Sequence, residues 1–278
     1  MPTFLSQLLN LLRDGRNRLD YPLRQAFRWR KTGFAIQPRA ADDPFAHLNT
    51  EERQRAQTLT NRLTRAYHLE GFASQTTPLN YRENLFYLHM LEQAFEAGGV
   101  SLPDFARAAD IGASHWFYVQ ALAALLRWWR APEGREAHVQ GCELDAYRVY
   151  NDLHSRYDHA LGHMRGLAGV EYLPGGFHPR AGYFHLITML FPFVFVEDHL
   201  KWGLPGNLFQ PLALLESVWL SVQPGGALVI VNQGEAEHAA QRGMMDQAGI
   251  PVRAAFRQDG LLFRYPLDRY VLVARRDD

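Results

Sequence analysis

Gln223-Pro224-Gly225-Gly226-Ala227-Leu228-Val229-Ile230-Val231 joins a helical stretch, residues 211–221, to an unbroken run of apolar residues. Proline and paired glycines end the helix, and the apolar run that follows has the pattern of a strand buried on both faces. The same alternation extends in both directions. Upstream lie a helical stretch at 146–161 and strand patterns at 170–173 and 183–190. Downstream, a helix at about 235–248 is followed by strands at 252–257 and 270–274, with Gly260 and Pro266 between them. Strands alternating with helices imply a parallel, doubly wound α/β sheet, because parallel neighbours need a long crossover. Two strands joined by a loop alone form a hairpin, so the last strand is expected to run antiparallel.

Nearer the N-terminus, residues 108–121 read as a strand, a turn and a helix, with Asp110-Ile111-Gly112-Ala113-Ser114 at the turn. Glu143-Leu144-Asp145 ends a second strand. In a βαβ unit such a glycine lets the backbone turn under a ligand, the new helix directs free N–H groups at it, and the acid holds a ribose. A full glycine fingerprint would also have small residues at the positions of Ser114 and Trp116, so the turn taken alone is a weak signal.

Four pieces together resemble the class I S-adenosylmethionine-dependent methyltransferases: the Asp110-Ile111-Gly112 turn, the Glu143 acid, the helix–Gln223-Pro224-Gly225-Gly226–strand junction and the terminal strand pair. The resemblance covers about residues 80–278. The wording around Glu143-Leu144-Asp145-Ala146-Tyr147-Arg148 and Trp202-Gly203-Leu204-Pro205 is similar to that of a bacterial branch of the superfamily. It implies a seven-stranded, mostly parallel Rossmann-like sheet with an antiparallel last strand, preceded by a helical region at 1–79. It also implies S-adenosylmethionine as cofactor and a small molecule or cell component as methyl acceptor.

On that resemblance, Gly112 and Ser114 would let the backbone approach the methionine part, and Asp110 would meet its sulfonium side. Glu143 would accept hydrogen bonds from both ribose hydroxyls, as a carboxylate can. Gly175 and Phe177 would lie at the adenine, where the chain reads Leu173-Pro174-Gly175-Gly176-Phe177 in place of the usual acid or amide. Methyl transfer asks a protein mainly to position the acceptor and remove its proton. Beyond the fourth strand, His199 is the candidate base, since its ordinary pKa suits neutral pH. Phe193 and Trp202 would wall the acceptor pocket. Each residue also has a structural role available to it: a helix cap for Asp110, core packing for the aromatics, and a solvated loop position for His199. Asp145 is expected to N-cap a helix beginning at Ala146.

Twenty-nine basic residues balance twenty-nine acidic ones, which gives no net field to recruit nucleic acid. The longest apolar stretch, residues 183–196, is too short to cross a bilayer. No secretory signal pattern opens the chain, and the single cysteine, Cys142, has no internal partner. These features lead to the expectation of a cytoplasmic protein. His154, Asp158, His159 and His163 lie close in sequence but lack a second ligand pair of recognisable spacing, so no metal is expected.

The first hundred residues look helical. Leu5, Leu8, Leu9 and Leu12 form an apolar stripe expected to pack on the main domain, and helix starts are expected near Asn49 and Asn80, each with a glutamate three residues on. Residues 34–44 are expected to be a flexible connection. Residues 1–40 carry eight basic side chains against two acidic ones, leaving the remainder about equally negative. Such a segment can contact a membrane surface or an acidic protein peripherally. Two functional classes follow: a methyltransferase, or a methyltransferase-fold protein without catalysis that binds or scaffolds. Asp110, Gly112 and Glu143 favour the first, and Ser114, Trp116 and the missing adenine acid favour the second.

Overall fold

The computed structural model describes residues 4–39 and 43–277. Three helices come first: α1 (Phe4–Phe27), α2 (Thr50–Ala66) and α3 (Pro78–Ala97). The alternating part then runs β1 (Phe105–Ile111), α4 (Val119–Trp128), β2 (Glu136–Glu143), α5 (Arg156–His163), β3 (Val170–Pro174), β4 (Phe184–Leu190), α6 (Val196–Trp202), α7 (Pro211–Ser221), β5 (Val222–Gln233), α8 (Gly234–Gln247), β6 (Val252–Arg257) and β7 (Arg269–Arg275). The seven strands form one sheet in the order β3-β2-β1-β4-β5-β7-β6. The first five pair in parallel, while β7 runs antiparallel between β5 and β6. This is the topology that the terminal hairpin and the resemblance implied. The central strand β4 is buried at all seven positions, as its apolar run requires.

Each face of the sheet carries its own core. Leu85, Leu88, Leu122, Leu125, Val229 and Val273 fill the side covered by α3 and α4. Ile187, Leu215, Val218, Ile230, Met245 and Leu272 fill the side covered by α7 and α8. Asn49 caps α2 by accepting from the Glu52 N–H at 2.9 Å, and its amide returns a bond to the Glu52 carboxylate, also at 2.9 Å. The α3 start lies slightly before its expected place, with Thr77 as cap. Buried Asn84 of α3 then accepts from Ala121 N–H at 3.0 Å and donates to Phe117 O at 2.8 Å, which fastens the turn after β1 to the first helical layer.

Three expectations are corrected. The helical stretch at 146–161 shrinks to α5, because Ser155 and Asp158 build a capping box that starts the helix at Arg156, while Val149 and Ser155 pair across a tight loop. Asp145 is therefore no N-cap. The leucines of α1 do not pack on the domain: Leu5, Leu12, Leu19 and Leu23 are all exposed. Finally, Phe34 is anchored within the expected flexible connection, its ring 4.0 Å from that of His159. Residues 40–42 of that connection lie outside the described residues.

Candidate functional site

Doubly wound sheets place ligands at the C-terminal ends of the strands, where the chain order reverses. Here that point lies between β1 and β4, and the turn after β1 borders it. The turn keeps the backbone of a glycine-rich loop with glycine only at its first position. Gly112, Ser114 and Trp116 have φ of 78°, 53° and 54°, a region that costs a side-chain-bearing residue about 1–2 kcal/mol. Gly112 and Ala113 N–H groups donate to Cys142 O at 2.9 and 3.1 Å, which folds the turn over the end of β2.

Trp116 accounts for the departure from glycine. Its side chain is wholly buried, and its indole N–H donates to Asp110 Oδ2 at 2.7 Å. Tyr118 OH donates to the same oxygen at 2.7 Å, and Thr188 OH donates to Oδ1 at 2.6 Å. Asp110 is thus a closed structural carboxylate, and burial pushes its pKa up to about 6. In this arrangement Asp110 presents no exposed oxygen to a cofactor. The indole has room because β2 carries Gly141 opposite it: a Cβ there would come within 2.8 Å of the ring.

Glu143 stands at the end of β2, as expected, and each of its oxygens already accepts a backbone N–H. Oε2 accepts from Ser114 N–H and Oε1 from Asp145 N–H, both at 2.8 Å. Arg156 Nη1 lies 3.4 Å from Oε1, and the Glu143 residue is 4% exposed. The arginine is itself buried, with its guanidinium 4.0 Å above the Trp202 ring. Its Nε has no hydrogen-bond partner among the described residues. Asp145, also buried, receives Arg24 from α1 through two bonds of 2.9 and 3.1 Å, and Arg156 lies 3.6 Å away. Sequence reasoning missed Arg156 and Arg24. The capped start at Ser155 was a local signal for the first, whereas nothing local could reveal an ion pair spanning 121 residues.

Trp202 and Phe193 lie together, with 5.8 Å between their ring centroids. His199 touches Phe193 at 5.7 Å, but it is buried in α6 rather than sitting in a polar loop. Its Nε2–H donates to Pro205 O at 2.9 Å, and burial lowers its pKa. Through that bond His199 ties α6 to the following turn. Gly175 stays at the edge, its N–H donating to Glu143 O at 2.8 Å. Phe177 does not. After Gly176 the chain returns along the sheet to begin β4, and Phe177 packs 6.1 Å from Phe184, the first residue of that strand.

Beside Arg156 opens a cleft of about 600 Å³, bordered also by Arg148, Tyr150, Asp152, Lys201 and Trp202. Its cations are each paired with a carboxylate, Lys201 with Asp198 at 2.9 Å, Arg148 with Asp145 at 3.9 Å and Arg156 with Glu143 at 3.4 Å, so the lining carries no excess of positive charge. A cofactor bound in the manner the resemblance implies needs a ribose-facing carboxylate with accessible acceptors and no concentration of positive charge beside its sulfonium. Glu143 is enclosed and Asp110 is sealed, so the residues as arranged do not fit S-adenosylmethionine in that manner. Among the described residues there is no group of three or more His, Cys, Asp or Glu side chains placed to hold a metal.

Fold and strand order define a class I S-adenosylmethionine-dependent methyltransferase fold. No family model matches the chain, and no curated protein does. Among solved structures, similarity is found to an S-adenosylmethionine-dependent methyltransferase from Aquifex aeolicus at 16% identity, with 66% of this chain and 87% of that one covered and a TM-score of 0.47. A Leishmania major S-adenosylmethionine-dependent methyltransferase is 11% identical over 84% and 86% of the two chains, with a TM-score of 0.46. The cyclase SpnF is 12% identical over 68% and 80%, with the same TM-score. These likenesses assign no reaction to this chain.

Proposed function

We propose that this chain is a methyltransferase-fold binding protein without methyl-transfer activity, and that the cleft beside Arg156 receives a small molecule. The carrying observation is the enclosure of Glu143 by Ser114 N–H, Asp145 N–H and Arg156. Releasing that carboxylate for a ribose would mean moving Arg156 out of a buried ion pair, a change that typically costs 3–5 kcal/mol when it leaves a buried charge uncompensated. Arg148, Tyr150, Asp152, Lys201 and Trp202 border the cleft and offer a ligand both polar and aromatic contacts.

A second reading rests on one specific feature. The turn after β1 keeps positive φ at Gly112, Ser114 and Trp116, so its backbone still has the bend that a bound nucleoside uses. On this reading the protein is an S-adenosylmethionine-dependent methyltransferase whose Arg156 swings aside on binding. Calorimetric titration of the folded, ligand-free chain with S-adenosylmethionine and its demethylated product separates the two. The binding-protein reading predicts no saturable heat from either ligand. Saturable binding lost in Glu143→Ala would establish the cofactor site and overturn it.

A further inference from the structure

Helix α1 is docked with its polar side inward. Asp14, Asn17, Tyr21 and Arg24 recur at helical spacing and face the α/β domain. Asn17 donates to Leu200 O at 2.8 Å and to Leu204 O at 2.9 Å, Asp14 accepts from Gly206 N–H at 2.6 Å, and Arg24 holds Asp145 and Gly203 O. At 100° per residue, the opposite side carries Leu5, Leu8, Leu12, Leu19, Leu23 and Phe27. All six are exposed, Leu19 at 70% and Phe27 at 79%. The helix is roughly 36 Å long, and the stripe falls into two apolar patches, Leu5, Leu8 and Leu12 at one end and Leu19, Leu23 and Phe27 at the other, with Gly15 and Arg16 between them.

Charge selects what covers these patches. Residues 1–40 hold eight of the basic side chains and only two acidic ones, while the rest of the chain is negative by the same margin. Arg16 and Arg18, with side chains 80% and 59% exposed, flank the stripe in pairs with Asp20 and Asp14, both at 2.9 Å, and Arg28, Arg30, Lys31 and Arg39 follow the helix to supply most of the segment's positive excess. A second copy of this helix would bring two such positive segments together, whereas an anionic lipid surface offers the opposite charge and an apolar layer at matching depth. No helix among the described residues is long and apolar enough to cross a membrane, so the geometry is that of lying on a bilayer, not spanning it.

We propose that the outward face of α1 is a peripheral membrane-binding surface for anionic bilayers, with Leu12, Leu19 and Leu23 entering the acyl boundary and Arg16 and Arg18 reading the headgroups. The α/β domain is carried on the helix's other side through Asn17 and Arg24, so binding needs no unfolding of the cleft.

The test is flotation of the full chain with vesicles of phosphatidylcholine alone and with about a third phosphatidylserine. Recovery with the anionic vesicles is expected to exceed that with neutral ones at least tenfold. Arg16→Gln with Arg18→Gln should weaken partitioning roughly thirty-fold, from the usual gain per basic residue near a charged surface. Leu12→Glu with Leu19→Glu should abolish it while far-ultraviolet dichroism and the melting transition stay unchanged. Equal recovery with both vesicle types overturns the proposal. So does a dimer at micromolar concentration, seen by light scattering, that the leucine variant dissolves without any vesicle binding by the parent chain.

Discussion

Replacing Asp110 by asparagine should leave the protein more stable at neutral pH than the parent and should remove one component of its pH dependence. The carboxyl is wholly buried and its pKa stands at about 6 instead of 3.8. Its folded-state affinity for a proton therefore exceeds its unfolded-state affinity. The stabilisation this provides is fully present below about pH 3.8 and is lost as pH rises through about 6. A displacement of that size corresponds to about 3 kcal/mol. Asparagine has nothing to ionise, and the site can accommodate it: its oxygen can accept from Trp116 Nε1 and Tyr118 OH while its amide donates to Thr188 Oγ1, since a hydroxyl can serve as either partner. Urea midpoints for parent and Asp110→Asn at half-unit steps from pH 4 to 8 give a difference curve in which unrelated titrations cancel. Among those are His115 and His163, which burial lowers to about 4 and about 3 and which destabilise the fold as pH falls below the ordinary histidine range. The difference should grow in favour of the variant by up to about 3 kcal/mol between pH 4 and 6.5 and then level off. A flat difference curve, or a variant destabilised equally at every pH, would refute the assignment of Asp110 as a sealed carboxylate.

Two further substitutions probe the parts around it. Gly141→Ala places a Cβ within 2.8 Å of the Trp116 indole and should lower stability by about 1–3 kcal/mol in thermal or urea denaturation, with a change below half a kcal/mol counting against the packing described. Arg156→Met removes the guanidinium from both the Trp202 face and Glu143, so a loss of about 3–5 kcal/mol is expected. A neutral result for that variant would mean that Glu143 is solvated and available.

The sheet was legible in the sequence because its signals are local and repeated. The helix at 211–221, the proline-glycine break and the apolar run each have a mechanism that works within a dozen residues, and β6 and β7 follow the same logic. The site was legible only in outline. Gly112 and Glu143 fall where a strand–turn–helix pattern must put them, yet what they touch depends on partners far away in the chain. Trp116 reads as a lost glycine until Gly141, on the neighbouring strand, is seen to make room for its ring. His199 and Phe177 were misplaced for a related reason. Polar neighbours suggested a loop where α6 forms, and nothing in the residues after Gly176 announces that the chain turns back along the sheet. The α1 leucines show the limit of amphipathicity, which identifies two faces of a helix without saying which one the domain takes. The short polar side chains that reach Leu200 O and Leu204 O decided that here.

The most direct measurement is amide hydrogen exchange at Ser114 and Asp145, whose N–H groups hold Glu143. If the carboxylate is enclosed as described, both amides are strongly protected in the ligand-free chain and their protection is unchanged by millimolar demethylated cofactor. Fast exchange in the free chain that becomes slow on adding this ligand would contradict the account and return Glu143 to the ribose.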